Sequence, residues 1–347
     1  MSTSTPLTVA LLLAVSGSLM ANEHVAEIDQ HGTDNTAEQV QSGLVLRSFI
    51  RQDGTANRAL TDQSGISADD RQTSIEQAGT SNFAAVYQIY GSQPGVASAD
   101  IYQVGDGNSA RVEQRVYSRD LAAGVTVRQE GTANQLDARQ TWVGNRLNVL
   151  SVGQENAVRV DQTGFSTAMI QQAGTANLVQ IDQHSSGIGG GFAVVSQEGT
   201  ANQADVLQSS GRYPAGDVFL QQVGTANIAQ VRSSDGHSTL DYMQRGTGNE
   251  LRASFVGHGS SIDGYSDGSY NLVEITQFGD DNDLDIAQLG SYNQVDAYQG
   301  FNAHDALISQ SGDSNRAFLR QESVSLVGHS ASIYQNGNGN VATVNQQ

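Results

Sequence analysis

A single seventeen-residue pattern recurs along this chain, and that recurrence constrains the fold more than any other feature. Residues Ser98 to Gln114 read SADIYQVGDGNSARVEQ, which sets Gln103, Gly105, Asn108 and Gln114 in the frame Q-x-G-x-x-N-x-x-x-x-x-Q. Ile101 stands two residues before the first glutamine, and Ala110 and Val112 stand two and four after the asparagine. Asp100, Tyr102, Arg111 and Glu113 fill the alternate positions. A period of two on both sides of a glycine predicts two short strands, each with one dry and one wet face, joined by a tight bend.

The frame returns at Gln30/Gly32/Asn35/Gln41, Gln52/Gly54/Asn57/Gln63 and Gln77/Gly79/Asn82/Gln88. It continues at Gln129/Gly131/Asn134/Gln140, Gln172/Gly174/Asn177/Gln183 and Gln197/Gly199/Asn202/Gln208. Three later copies are Gln277/Gly279/Asn282/Gln288, Gln310/Gly312/Asn315/Gln321 and Gln335/Gly337/Asn340/Gln346. Imperfect copies hold Ser151 in the first slot, or Ser233 (after Gln222/Gly224/Asn227) or Phe255 (after Gln244/Gly246/Asn249) in the last. From Gly268 to Gln299 the marks recur every eleven residues, so the elementary unit is one strand plus one turn, and two units make a coil.

Stacked coils need columns of like residues, about 4.8 Å apart. One column holds Ile28, Ile50, Ile75, Ile101, Val127, Ile170, Val195, Leu220, Tyr242, Ile275, Ile308 and Ile333. Residues two after the asparagine, such as Ala84, Ala110, Leu136, Val179 and Leu284, form another. The expected fold is therefore all-β: a β-solenoid of strand-turn-strand repeats with two parallel, in-register sheets and cross-β character. The second turn of each coil is expected to be looser and to absorb length variation at Val116 to Gly124, Ser185 to Gly191, Ser209 to Gly216 and Gly257 to Tyr270. A lone coil buries too little to stand by itself, so stability has to come from its neighbours.

The recurring residue types have a physical reason. A buried amide needs both its donor and its acceptor satisfied, and an identical amide one coil away supplies both as a ladder. Glycine permits positive φ at the bend, and asparagine tolerates left-handed geometry. The expected turn glycines are Gly32, Gly54, Gly79, Gly105, Gly131, Gly174, Gly199, Gly224, Gly246, Gly279, Gly312 and Gly337, all taken as equivalent points of one corner.

All 17 basic residues are arginine and the net charge is -19, so there is no basic stripe for a nucleic-acid backbone. Cysteine is absent, which excludes disulfide staples and thiolate metal sites. Residues 1–21, with an apolar run from Leu7 to Val15, read as a secretory signal peptide, which leaves 22–347 as the repeat domain. An exported protein is the expectation.

The stretch from Ser98 to Gln114 resembles the curlin repeat, whose core is Q-x-G-x-x-N-x-A-x-x-x-Q, and the resemblance extends from about Ala26 to Gln346. It implies a bacterial subunit that self-assembles outside the cell into a functional amyloid fibre, serving biofilm matrix and adhesion. It also implies self-association as the main partnership, a nucleator or major curlin partner, and an outer-membrane secretion pore with accessory factors. The many repeats, the irregular leading serine and the varied corners leave open whether the chain is a major subunit or a nucleator.

Other readings are weaker. The seven histidines lack metal-ligand spacing and mostly fall in turns, where solvated side chains are expected. Asp280, Asp281 and Asp283 occupy an ordinary turn slot without the repeat of calcium-loaded solenoids, so no metal or cofactor is predicted. Outward arginines such as Arg58, Arg111, Arg128 and Arg159, set among Glu76, Asp100, Glu113 and Asp161, read as charges that keep sheet faces soluble. Tyr87, Tyr102 and Tyr298 read as outward strand formers. A carbohydrate-active enzyme on a β-helix would break the repeat with clustered acids, and none is visible, so no catalytic residue is assigned. A monomeric solenoid adhesin is the remaining alternative.

Overall fold

The computed structural model describes residues 24–67, 73–91, 96–117, 122–186, 189–323 and 328–347. The expected signal peptide lies outside the described residues. The chain forms two compact units, residues 1–163 and 164–347. Every regular element described is a strand, and two strands make one coil of a β-solenoid.

The first unit has six coils. Val25–Thr33, Arg47–Thr55, Thr73–Thr80, Ala97–Asp106, Ala123–Thr132 and Arg146–Gln154 lie side by side in one sheet. Thr36–Leu44, Arg58–Ile66, Phe83–Tyr90, Ser109–Val116, Gln135–Thr141 and Ala157–Thr163 form the other. The second unit has eight coils, its first sheet running from Thr167–Thr175 to Ser330–Asn336 and its second from Leu178–Ser185 to Val341–Gln346. Neighbouring strands are parallel and in register, so Ile75 pairs with Ile101, Gln77 with Gln103 and Gly79 with Gly105.

Alternation decides which face is dry. In Gln203–Ser210 the exposed and buried residues alternate strictly, with Ala204, Val206 and Gln208 inward. The inward aliphatic columns are closed to solvent in the inner coils, where Ile101, Ala110 and Val112 are buried, while Ile28 and Val344 in the outermost coils are half-buried.

Three features of the repeat differ from the sequence reading. First, Gly257 to Tyr270 is not one loose corner, because Ser261–Ser269 is a full strand of the first sheet. Its pattern is masked because Gly264 stands where an aliphatic residue belongs. The Tyr242 ring fills that space, and a Cβ on Gly264 would lie 2.7 Å from Tyr242 Cε2. Second, the frame at Gln277 is half a coil out of phase. Gln277 pairs with Phe255 and Gln299 in the second sheet, while Leu284 pairs with Ile262 and Ala306 in the first. An eleven-residue unit fits either sheet equally well, so only the strands on both sides fix its phase.

Third, the frame glycines are not themselves the bends. Gly54, Gly174 and Gly199 are the next-to-last residues of the strands Arg47–Thr55, Thr167–Thr175 and Phe192–Thr200. The left-handed bend falls two residues later, at Ala56, Ala176 and Ala201. What demands glycine is the close stacking of strand ends. An added Cβ on Gly54 would lie 2.1 Å from Gly79 O, one on Gly174 2.0 Å from Gly199 O, and one on Gly199 2.1 Å from Gly224 O. Gly312 comes directly after the strand Asp305–Ser311, and a Cβ there would meet Gly337 O at 2.2 Å. Gly279 departs further, because it follows Leu272–Phe278 of the second sheet and faces Phe301 O rather than a glycine. It therefore belongs to the opposite corner, as the shifted phase of its frame requires.

Candidate functional site

The repeat brings the frame amides into continuous stacks inside each unit. In the first sheet Gln30 Nε2 donates to Gln52 Oε1 (2.6 Å), Gln52 to Gln77 (2.8 Å), Gln77 to Gln103 (2.8 Å) and Gln103 to Gln129 (2.8 Å). In the second, Gln41, Gln63, Gln88, Gln114, Gln140 and Gln162 form the same chain. Many of these glutamines also donate to a backbone carbonyl, as Gln114 does at Ser98 O (3.0 Å). In the second unit Gln172, Gln197, Gln222 and Gln244 make one ladder. Gln288, Gln310 and Gln335 make a second, and Gln277, Gln299, Gln321 and Gln346 a third. Gln183 donates to Gln208 (2.7 Å).

The asparagines stack at the tight corner with the opposite sense. Asn108 Oδ1 accepts from both the backbone N–H (3.1 Å) and Nδ2 (3.0 Å) of Asn134, and Asn108 Nδ2 donates to Gly131 O (2.9 Å). The series Asn35, Asn57, Asn82 and Asn108 repeats this, as does Asn177, Asn202 and Asn227, and Asn315 with Asn340. Asn282 belongs to the other corner, where its Oδ1 accepts from the His304 backbone N–H (3.0 Å). The amide-to-amide bonds of each ladder are thus directional: glutamine donates to the glutamine of the C-terminal coil and asparagine to the asparagine of the N-terminal one.

The imperfect copies interrupt the glutamine stacks. Ser233 and Phe255 replace the amide in consecutive coils of the second sheet, and Gln277 Oε1, next above Phe255, is buried without a partner. In the first sheet Ser266 repairs a gap, taking a bond with the Tyr242 hydroxyl (2.8 Å) and donating to Gln288 Oε1 (2.8 Å). Burial pushes the Tyr242 phenol pKa far up, the Ser266 bond opposing this, so the hydroxyl stays a neutral bridge. Two inward polar residues escaped the column pattern. Gln39 and Thr61 stand where other coils carry an aliphatic residue, and Ser48 joins them, donating or accepting at Thr61 Oγ1 (2.7 Å) while Gln39 Nε2 reaches Ser48 O (3.0 Å).

His304 is a correction to the solvated-histidine reading, because it is buried. Its Nε2 lies 2.7 Å from Gly300 O and its Nδ1 accepts the His329 backbone N–H at 3.0 Å. It therefore acts as a neutral Nε2–H imidazole standing in for a ladder asparagine. Burial holds its pKa below the ordinary histidine value, helped by His329 and opposed by the Gly300 bond. A lowered folded pKa means the stabilising contribution is whole above the ordinary imidazole range and is lost as pH falls through that range. Replacing His304 with asparagine is expected to shrink the loss of melting temperature between about pH 7 and about pH 5, the interval where imidazole titrates. An unchanged loss would show that the acid sensitivity lies elsewhere.

Register also stacks charge. Asp241, Asp263 and Asp285 fall in one outward row of the first sheet, and Asp283 pairs with Asp305 in the adjoining row. The carboxylates of Asp263, Asp283 and Asp285 lie within 4.8 Å of one another. Partial burial raises the Asp263 pKa above the ordinary value, with Asp241, Asp285 and Asp283 adding to the rise. The charged form is thus disfavoured by folding, and stability is gained as pH falls through the raised folded value. Asp263→Asn is expected to raise the melting temperature at neutral pH, with the gain shrinking to nothing in acid. A loss at neutral pH would overturn that reading. Elsewhere charges alternate with aromatics: Arg111 lies over Tyr87 (5.2 Å), Arg128 over Tyr102 (5.0 Å) and Arg320 over Tyr298 (4.9 Å).

What these features define is a parallel β-solenoid whose interior is threaded by amide ladders. Residues 290–322 match the family model of the curlin associated repeat. No curated protein gives a significant match.

Proposed function

We propose that this chain is a structural subunit that self-assembles end to end into curli-like amyloid fibres on the bacterial surface, for biofilm matrix and adhesion. In this reading the main partner is another copy of the chain. Export through an outer-membrane pore, accessory factors and a nucleator or major curlin partner belong to the same reading. The family is structural in character, and outward acids sit at ordinary repeat positions, as Glu274 does beside Arg252 (2.7 Å).

The observation that carries the proposal is the match between the outermost described strands. Among the described residues Gln30 and Gln41 receive no bond from a preceding coil, whereas Gln335 and Gln346 end the series of donors. Placing Ser330–Asn336 beside Val25–Thr33 sets Ile333 on Ile28, Gln335 on Gln30 and Gly337 on Gly32. The same shift sets Asn340 on Asn35 and Gln346 on Gln41, with donors meeting acceptors in both ladder types. Unpaired edges of this kind accept another chain.

Replacing Gln30 or Gln346 with leucine is expected to slow seeded elongation more than the same change at Gln172, which lies far from the outermost described strands and donates to Gln197 (2.9 Å). Equal slowing at all three positions would count against growth at the ends.

A further inference from the structure

Two tyrosines at one corner of the second unit make a site that the assembly reading does not use. Tyr270 and Tyr292 occupy equivalent turn positions of adjacent coils, where their backbone N–H groups donate to Thr247 O and Ser269 O (2.8 and 2.9 Å). Their rings are stacked, with centroids 5.3 Å apart and planes 15° from parallel. Both are open to solvent, at 53% and 62% of their full exposure.

The backbone at this position is costly for them. Both residues have positive φ, 57° and 60°, a region that bulky side chains rarely enter. Other coils put small residues in the same slot, such as Ala201, Ala226, Gly248 and Ser314. Gly248 lies beneath the Tyr270 ring, since a Cβ there would meet Tyr270 Cε1 at 2.7 Å. The register therefore holds two phenols face to face, in water, in a chain that has no cysteine for cross-linking.

We infer that Tyr270 and Tyr292 are a site of oxidative coupling, joined by a carbon–carbon bond that staples adjacent coils. The co-reactant is a one-electron oxidant, such as a haem peroxidase supplied with hydrogen peroxide. Each phenol loses one electron and one proton to become a phenoxyl radical. The two radicals join at the ring carbons ortho to oxygen, and the hydrogens on those carbons move to the oxygens, restoring both aromatic rings. Two tyrosines thus lose two hydrogen atoms in all, and one peroxide takes up those electrons and protons to give two waters. Stacking supplies the proximity: the second ring is already held with its centroid 5.3 Å from that of the first, so coupling within the chain outruns encounters between chains.

The test treats the folded full chain, dilute and free of fibres, with a haem peroxidase and hydrogen peroxide. The expected product is a monomer lighter by two hydrogens, with dityrosine fluorescence and a linked peptide pair containing Tyr270 and Tyr292. Tyr270→Phe and Tyr292→Phe should each abolish that link while keeping the β circular dichroism of the parent. Tyr334→Phe, at a more exposed but separate position (70%), should leave it intact. Persistence of the intrachain link in Tyr292→Phe would overturn the assignment. So would coupling found only between chains, or no coupling at all.

Discussion

Gly105→Ala is expected to destabilise the first unit by about 3 kcal/mol or more, while Gly107→Ala, two residues along at the bend itself, costs only about 1 kcal/mol. Gly105 has φ of +115°, a conformation closed to side chains, and an added Cβ would lie 2.1 Å from Gly131 O in the next coil. That obstacle is backbone held in the ladder, so it has nowhere to go. Gly107 also has positive φ (+65°), but in the left-handed region that alanine tolerates at modest cost, and nothing lies within 4 Å of an added Cβ. Chemical denaturation of the two variants measures the contrast. Equal costs would mean that the coils are not stacked at the distance described.

The second large effect concerns the glutamine ladder. Gln299→Leu removes an amide that accepts from Gln277 (2.9 Å) and donates to Gln321 Oε1 (3.0 Å) and Asp283 O (2.9 Å). The bonded groups are left behind in a dry interior, at an expected cost of about 3 kcal/mol. Gln277→Leu in the neighbouring coil should cost about 1 kcal/mol less, because it also removes an oxygen that is already buried and unpartnered above Phe255. Denaturation midpoints of the two variants give the comparison. A larger loss at Gln277 would contradict the view that Phe255 ends the stack.

Much of this architecture was legible because one period governs both levels of structure. The alternation that puts Ile101 and Gln103 inward within a strand also stacks them on Val127 and Gln129 in the next, so a column read from the sequence is a column in space. The phase of the unit was less legible. Gln277 through Gln288 looks like any other frame, and the strand Ser261–Ser269, whose inward glutamine is replaced by Ser266 and whose aliphatic slot is Gly264, is the reason it was placed half a coil away. Gly279 carried the same ambiguity, since a glycine three residues before an asparagine marks either corner. The need for Gly54, Gly174 and Gly199 was legible but its cause was not, because the carbonyl that excludes a side chain comes from a neighbouring coil.

Contacts between outward side chains were hidden for a different reason. Coils are 22, 25 or 26 residues apart along the ladder, so the row of Asp241, Asp263 and Asp285 or the pair Tyr270 and Tyr292 emerges only after each corner's length is known. His304 was obscured by residue type. Nothing in a lone histidine says that its two ring nitrogens can reproduce the acceptor and the donor of an asparagine, and only the register beside Asn282 and His329 shows it. The polar cluster of Gln39, Ser48 and Thr61 was missed because it departs from the column rule in the coils nearest the N-terminal edge.

The central claim is that the ladder groups at the outermost strands recruit further copies of the chain. Its most direct test dilutes the chain from Asn22 onward out of denaturant and follows thioflavin-T fluorescence together with electron microscopy, with and without preformed seeds. The account predicts fibres after a lag, with the lag removed by seeds. A stable monomer with β circular dichroism, and no fibres even when seeded, would contradict it and favour a solenoid that acts alone.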